Sequence, residues 1–204
     1  MKKILLALIL TSANTTYAAH SYNDIRVGVQ GTQVKSQSFG SYLNNKYNPS
    51  ESKDLGGFYI NGTLSISEQL YTTVNLTSVT RGSSDISNDF LGIGYHYDFG
   101  FNSLYTTVGA NMVEVTRNHS NNKQSKFDEK AVSLEAGAKL QVTSFFAIQP
   151  QYRISFFDDG EMHDYQLINS LMLGKHFSIE AGAGYNKFIN AEQFSWQGGM
   201  RFSF

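Results

Sequence analysis

The sequence predicts an all-β fold, a closed antiparallel up-and-down transmembrane β-barrel, and three observations support this prediction. Apolar residues alternate with polar or small ones in segments of about ten residues, which is the per-segment signature of a transmembrane barrel. The composition agrees, with 14% aromatic residues and 18 Gly but only 2 Pro among 204 residues. The third observation is the length of the connections between the segments.

Connection lengths matter because alternation alone fits a soluble sandwich as well as a barrel. Short joins alternate with longer polar connections along the chain. The short joins lie near Glu68, Gly100, Ser144 and Lys175, and the longer ones near 37–54, 81–89, 118–130, 158–164 and 187–193. Short turns at one rim and longer loops at the other are typical of outer-membrane barrels, with the short turns on the periplasmic side.

Counting the segments predicts ten strands. In chain order they are 22–36, 55–67, 70–82, 88–99, 104–117, 130–143, 146–157, 164–174, 176–189 and 192–204. An even number returns the chain to the rim where it started. Eight strands are the main alternative, because residues 165–174 carry apolar side chains on both faces.

Each strand is justified by an apolar series that occupies one face. In chain order these series are Ile25, Val27 and Val29; Phe58, Ile60, Leu64 and Ile66; Leu70, Thr72 and Val74; Leu91, Ile93, Tyr95, Tyr97 and Phe99; Leu104, Thr106 and Val108; Val132, Leu134, Ala136, Ala138, Leu140 and Val142; Ile148, Tyr152, Ile154 and Phe156; Ile179, Ala181, Ala183 and Tyr185; and Phe194, Trp196, Met200, Phe202 and Phe204. We expect these faces to meet lipid and the polar faces to meet the lumen.

The pentapeptide LYTTV occurs twice, at 70–74 and 104–108. The segments that follow both end in Val-Thr-Arg, and the second is two residues longer, which keeps every side chain on the same face. The repeat predicts two strands that each begin after a periplasmic turn. Tyr71 and Tyr105 are then expected in a periplasmic aromatic girdle. Aromatic residues after later turns are expected in similar positions: Phe145, Phe146 and Phe177.

Residues 1–18 predict a cleaved signal peptide, which leaves 19–204 as the barrel. Lys2 and Lys3 precede an apolar run, and Ala18 ends a site suited to signal peptidase. The run is far shorter than the roughly 18 residues of a spanning helix. Removing the two lysines changes the formal net charge from -1 to -3, which gives no indication of nucleic-acid binding. Without cysteine, no disulfide, thiol nucleophile or Cys-ligated metal is available.

The C-terminal residues form an alternating series that ends on an aromatic side chain: Trp196, Gly198, Met200, Phe202 and Phe204. This ending resembles the signal that the outer-membrane assembly machinery reads in bacterial barrels. With the signal peptide and the strand pattern, the chain resembles the broad OmpA/OmpX-like group of small outer-membrane β-barrel proteins, without a periplasmic domain. The resemblance implies a Gram-negative outer membrane and contact with outer-membrane lipid and lipopolysaccharide.

Inward placement of the polar faces predicts a set of lumen charges: Arg26, Glu135, Lys139, Arg153, Glu180 and Arg201. In a small barrel such side chains can pair and plug the lumen. The same residues could instead line a narrow conduit for small solutes or ions. We expect the plugged arrangement, because strand number limits the bore and inward Arg and Lys are long.

A rim hydrolase is a third hypothesis. The segment 158–164 clusters acids with a histidine, and Asp159 with His163 could activate water. Its spacing does not reproduce the pairs of omptin proteases, so a solvated acidic loop is the expected reading. His119 beside Ser120 lacks an orienting carboxylate, and His96 is expected to be hydrogen-bonded inside the lumen. No histidine spacing suggests a metal site.

The predicted loop 117–130 is the candidate for contacts outside the cell. Its four cations could bind lipopolysaccharide phosphates or an anionic host surface, although an ordinary solvated loop is the expected reading: Arg117, Lys123, Lys126 and Lys130. In sum, the sequence predicts a monomeric, non-enzymatic barrel without cofactors. We expect it to act in envelope integrity or in surface interaction through its loops, with a host or surface ligand as a candidate partner.

Overall fold

The computed structural model describes residues 22–35, 53–118, 124–188 and 191–204, which form ten strands. They are β1 (Asp24–Val34), β2 (Lys53–Ser65), β3 (Leu70–Arg81), β4 (Ser84–Phe99), β5 (Asn102–Asn118), β6 (Gln124–Thr143), β7 (Phe146–Phe157), β8 (Gly160–Met172), β9 (Phe177–Phe188) and β10 (Ala191–Ser203). The predicted signal peptide lies outside the described residues. No helix in these ranges is long and apolar enough to cross a membrane.

Every strand pairs antiparallel with its neighbours in sequence, and β1 pairs with β10, so the sheet closes into a barrel. The predicted fold class and the count of ten strands are confirmed, and the alternative of eight is wrong. The ambiguous segment forms β8, which pairs along its length with β7 and β9. Its apolar residues serve both faces, because Leu167 and Leu171 point outward while Ile168 and Met172 point inward.

The barrel has two ends, which we name by what they carry. The terminal rim is the end where β1 begins and β10 finishes, near Asp24 and Ser203. The distal rim is the opposite end, where Arg81 and Ser84 close a hairpin. Strands β4, β5 and β6 are longer than the others, and β5 and β6 extend beyond β7 at the distal rim. There β6 pairs with β5 from Gln124, whereas its register with β7 starts only at Val132.

The polarity of the two faces reverses along the strands. From the terminal rim through the middle of the barrel, large apolar side chains point outward and polar ones point inward, as on β1, where Val27 is exposed and Arg26 is buried. Near the distal rim the inward residues are apolar and the outward ones polar. On β5, for example, Val113 and Val115 are buried while Glu114 points outward. The distal part therefore has the polarity pattern of a water-soluble barrel, and the remainder has that of a barrel surrounded by lipid.

The predicted long connections at 81–89 and 158–164 are wrong. Strands β3 and β4 join through two residues, and so do β7 and β8. Gly82 has φ 59° and Gly100, in a terminal-rim turn, has φ 62°, the left-handed region that tight hairpin turns require and glycine adopts without strain. The predicted loop 118–130 is also mostly strand, since β6 begins at Gln124. The outward residues of these strands are polar on the distal side of the apolar band, and for this reason the sequence predicted loops there.

Candidate functional site

The lumen holds the candidate site, and all six predicted lumen charges lie there in buried positions. Glu135 and Arg153 are direct partners across β6 and β7. Arg153 donates to Glu135 Oε2 from Nε at 2.9 Å and from Nη2 at 2.6 Å. Gln151 Nε2 donates to the same oxygen at 2.8 Å. The Arg153 guanidinium also covers the Phe90 ring at 3.8 Å, so this cation is fixed by charge, hydrogen bonds and an aromatic face.

The other four charges gather with Asp24 nearer the terminal rim. Arg26 and Arg201 face each other across β1 and β10, an arrangement that is stable only with acids between them. Arg26 Nε lies 3.0 Å from Asp24 Oδ1 and 4.0 Å from Glu180 Oε2, and Arg201 Nε lies 3.5 Å from Glu180 Oε1. Lys139 Nζ lies 3.9 Å from Asp24 Oδ2.

Asp24 is a member of this network that the sequence analysis did not include. The signal was present, because Asp24 stands two residues before Arg26 and therefore on the same face of β1. Ser170 Oγ also donates to Glu180 Oε1 at 2.9 Å, a contact that depends on the register between β8 and β9. Pairing of this kind fixes the charged side chains of the terminal half of the lumen against one another.

The two LYTTV tyrosines point inward, so their predicted place in the periplasmic girdle is wrong. Tyr71 is 3% exposed and Tyr105 is 7% exposed, and they pack with Tyr22 inside the terminal rim. The outward positions belong to Leu70 and Leu104. The Tyr71 hydroxyl lies 2.7 Å from Thr107 Oγ1, and the Tyr105 hydroxyl accepts from Gln149 Nε2 at 3.0 Å. A tyrosine directly after a turn follows the strand's alternation, and both fall on the polar face.

The distal end of the lumen is closed by one contiguous apolar cluster, which we call the distal plug. Every strand contributes to it: Val34, Leu55, Val79, Ile86, Val113, Val115, Ala131, Phe157, Met162, Phe188 and Ala191. Phe127 on the extended part of β6 packs against it, with its ring 5.8 Å from that of Phe188 on β9. The distal part of the β5–β6 hairpin therefore reaches across the distal opening of the lumen. This plug was not predicted from the sequence, although the alternation of Val113 and Val115 on β5 carries its signal.

Between the distal plug and the charged network lies a cavity of about 100 Å³. Hydroxyl and amide groups make up much of its lining, including Gln30, Asn61, Asn88, Gln166, Asn186 and Gln197. Such groups can each donate and accept hydrogen bonds, so the cavity suits water or a small polar solute. Apolar side chains of the distal plug line one end of it, and the paired charges with the buried tyrosines line the other.

The two residues of the hydrolase hypothesis, Asp159 and His163, contact other groups. Asp159 lies in the exposed turn between β7 and β8, where it contacts Glu129. His163 points outward from β8, with Nδ1 2.8 Å from the Tyr152 hydroxyl and Nε2 3.7 Å from Glu161. Within the described part of the chain, no group of three His, Asp or Glu residues is placed to hold a metal ion. His119 and Ser120 lie outside the described residues.

His96 lies in the lumen, as expected, with Nδ1 3.1 Å from Asp98 Oδ1. The four cations of the predicted outer loop are dispersed. Arg117 occupies an inward position on β5, and Lys123 lies outside the described residues. Lys126 points outward and pairs with Glu114 and Asp128, at 3.2 Å each. Lys130 is exposed on the outer face of β6.

The predicted assembly-signal residues, Trp196, Met200, Phe202 and Phe204, all point outward from the last strand or its end and are exposed. This placement agrees with their alternation. Recognition of these residues by an assembly machinery stays a prediction, because the apolar exterior of the barrel alone accounts for their outward position.

Solved structures of small barrels are similar to this chain. The attachment invasion locus protein Ail of Yersinia pestis is 13% identical with a TM-score of 0.46, covering 89% of this chain and 99% of its own. Neisserial surface protein A is 12% identical with a TM-score of 0.45, covering 90% and 98%. The N-terminal barrel domain of Pseudomonas aeruginosa OprF is 13% identical with a TM-score of 0.44, covering 91% and 100%. No protein-family model and no curated protein matches the chain. The likeness is one of barrel fold alone.

Proposed function

We propose that this protein is an integral barrel of a Gram-negative outer membrane, with a closed lumen and a role in envelope integrity or surface contact. The terminal rim would face the periplasm and the distal rim the outside. The observation that carries the proposal is the combination of an apolar exterior band with the distal plug that all ten strands build.

The band is comparable in height with the apolar band of about 25 Å that outer-membrane barrels carry. On β9 it runs from Phe177 to Tyr185, nine residues or about 27 Å along the strand, and about 20 Å along the barrel axis at a tilt of ~40°. Its distal edge is an aromatic row of register partners on β7 to β10: Tyr152, Tyr165, Tyr185 and Phe194. On β8 to β10 the next outward row is polar, with His163, Lys187 and Glu192, whereas β7 continues with apolar Ile154. Such a transition is typical of a lipid–water boundary.

The distal plug favours a structural or surface role over transport. A hydrated ion or sugar crossing the lumen would have to leave water among packed Val, Phe and Met side chains, and apolar constrictions of this kind exclude water. At the terminal mouth, the Tyr22 ring then lies across the entrance to the cavity. The narrow-pore alternative would need movement at both ends of the lumen.

Trp196 provides a direct test of membrane insertion, because it is the single tryptophan and points outward with 57% of its surface exposed. Quenching by lipids brominated on the upper acyl chain is expected to be strong, and quenching by aqueous iodide weak. The control is Trp196→Phe combined with Asp128→Trp, which moves the fluorophore to the extended part of β6 and should reverse the two efficiencies. Strong iodide quenching of Trp196 in liposomes would contradict the proposal.

For surface contact, we propose that the extended part of β5 and β6 presents Lys130 to lipopolysaccharide phosphates. Lys126 already contacts two carboxylates, so Lys130→Gln is expected to weaken lipopolysaccharide binding several-fold more than Lys126→Gln. Titration of the refolded protein with lipopolysaccharide measures this. Equal affinities for the wild type and both variants would remove the proposed contact.

A further inference from the structure

Tyr22 precedes β1, and its side chain reaches across the terminal mouth of the lumen. The β1 ladders begin at Asp24, so Tyr22 is outside the hydrogen-bonded wall. Asn23 fixes the chain just after it, accepting from Ser65 N at 2.8 Å and from Phe204 N at 3.0 Å. The Tyr22 ring therefore extends from a fixed point on the rim, and it is 4% exposed.

Three residues on the opposite wall hold this ring. The Tyr22 hydroxyl lies 2.8 Å from Ser103 Oγ on β5. The imidazole of His96 on β4 stacks on the ring with centroids 3.9 Å apart and planes 10° apart. The ammonium of Lys139 on β6 lies 3.6 Å from the ring centroid. Stacking, a cation over the ring and a hydroxyl partner are together the contacts by which a phenol is recognised.

The cavity in the middle of the lumen lies directly behind this ring, since Tyr22 and Lys139 are among its lining residues. Tyr71 supports the ring from one side at a centroid distance of 4.6 Å. The wall residues belong to strands locked by their ladders, whereas Tyr22 is attached by its side chain and by Asn23. Departure of Tyr22 would thus open the cavity while leaving the barrel wall intact.

We propose that His96, Ser103 and Lys139 form a binding site for a phenolic ring, and that Tyr22 occupies this site as a detachable stopper. With the ring withdrawn, the polar cavity becomes a pocket open at the terminal rim and closed at the distal rim by the plug. The site would then accept a free phenol or another aromatic side chain in place of Tyr22.

The absence of cysteine allows a direct test by labelling. Thr63→Cys places a thiol at the cavity, and its rate of reaction with a small methanethiosulfonate reagent in detergent reports access. Adding Tyr22→Ala is expected to raise this rate at least tenfold, whereas Tyr97→Ala, which removes an outward tyrosine of β4, should leave it unchanged. Tyr22→Phe keeps the stacked ring and should stay close to the wild-type rate.

A second measurement tests the aromatic site itself. Phenol is expected to slow the labelling of the Tyr22→Ala variant in a saturable manner, while cyclohexanol, which has a similar size but no aromatic face, should not. Circular dichroism and heat-dependent electrophoretic mobility verify that each variant is folded. The proposal is overturned if a folded Tyr22→Ala variant labels no faster than the parent, or if cyclohexanol protects as well as phenol.

Discussion

Arg153 is the cation that holds together a buried charge group with Glu135 and Asp164 in the lumen. It contacts Glu135 directly and faces Asp164 across β7 and β8, and all three are buried. A buried ion pair need not stabilise a fold relative to apolar residues, but removal of one partner leaves an uncompensated charge. Arg153 therefore balances two acids that the barrel wall brings together.

Replacing Arg153 with Met is expected to lower the free energy of unfolding by about 3 kcal/mol. The combined variant Arg153→Met with Glu135→Leu should lose less than Arg153→Met alone, because one of the two stranded acids is removed. Urea unfolding in detergent measures both. Arg81→Met is the control, since Arg81 and Asp54 are exposed and 3.9 Å apart, and its effect should stay below about 1 kcal/mol. A similar loss for Arg81→Met and Arg153→Met would contradict this account.

Glu129 lies on the extended part of β6, outside the apolar band. Its surroundings lead us to expect that the stability of the fold depends on pH. Partial burial and the neighbouring Asp159 and Asp158 raise the pKa of Glu129 above its usual range. The folded protein therefore holds this proton more tightly than the unfolded chain, so folding is favoured at low pH and opposed as Glu129 ionises.

Accordingly, Glu129→Gln is expected to raise Tm at pH 7, with the advantage shrinking as the pH falls towards about 4, where a free Glu carboxyl begins to protonate. Thermal scans across this range measure the difference. Glu68→Gln, in an exposed terminal-rim turn, is the control. A gain for Glu129→Gln that is constant with pH would argue against the proposed repulsion.

At the level of elements, inward tyrosines lie flat on glycines of the neighbouring strand. Tyr71 faces Gly94 across β3 and β4, and Tyr105 faces Gly137 across β5 and β6. A Cβ added at either glycine would overlap the tyrosine ring. The repeated LYTTV segments thus share an environment, a tyrosine that covers a backbone without side chains.

Gly94→Ala is expected to destabilise the barrel by about 1–3 kcal/mol through overpacking. The matched control is Gly198→Ala on β10, where an added Cβ meets no neighbouring atom within 4 Å. Urea midpoints of the two variants give the comparison. Equal midpoints would mean that Tyr71 moves without cost and that the packing of ring on glycine is unimportant.

Strand number and strand order could be predicted because the period-two alternation persists within the apolar band. The distal parts of β4 and β6 were missed, since their faces reverse polarity once the strands leave the band: Asp85 and Asp89 face outward around inward Ile86. A polar outward face next to turn residues looks like a loop in sequence. The reversal itself is physical, because the exterior changes from lipid-like to aqueous.

The site could be predicted in part. Alternation gave the inward direction of the six charged residues, but their partners depend on register and on reach across the lumen. Asp24 and Gln151 join the networks through such contacts. Tyr22 could not be foreseen, because it precedes the first ladder pair and contacts strands β4 to β6 across the mouth.

For the whole molecule, the two closures of the lumen define its function. The distal plug excludes water at one end, and the Tyr22 ring, held among tyrosines and charges, covers the cavity at the other. A variant opened at both ends should therefore be needed for conduction: Tyr22→Ala together with Val115→Ser and Phe188→Ser. Either change alone is expected to leave one closure in place.

Single-channel conductance of the refolded protein in a planar bilayer tests this claim most directly. The wild type, shown to be folded by its heat-dependent electrophoretic mobility, is expected to be silent, whereas the variant opened at both ends is expected to give current steps. Reproducible steps from the folded wild type at low voltage would contradict a closed lumen and make the protein a narrow channel.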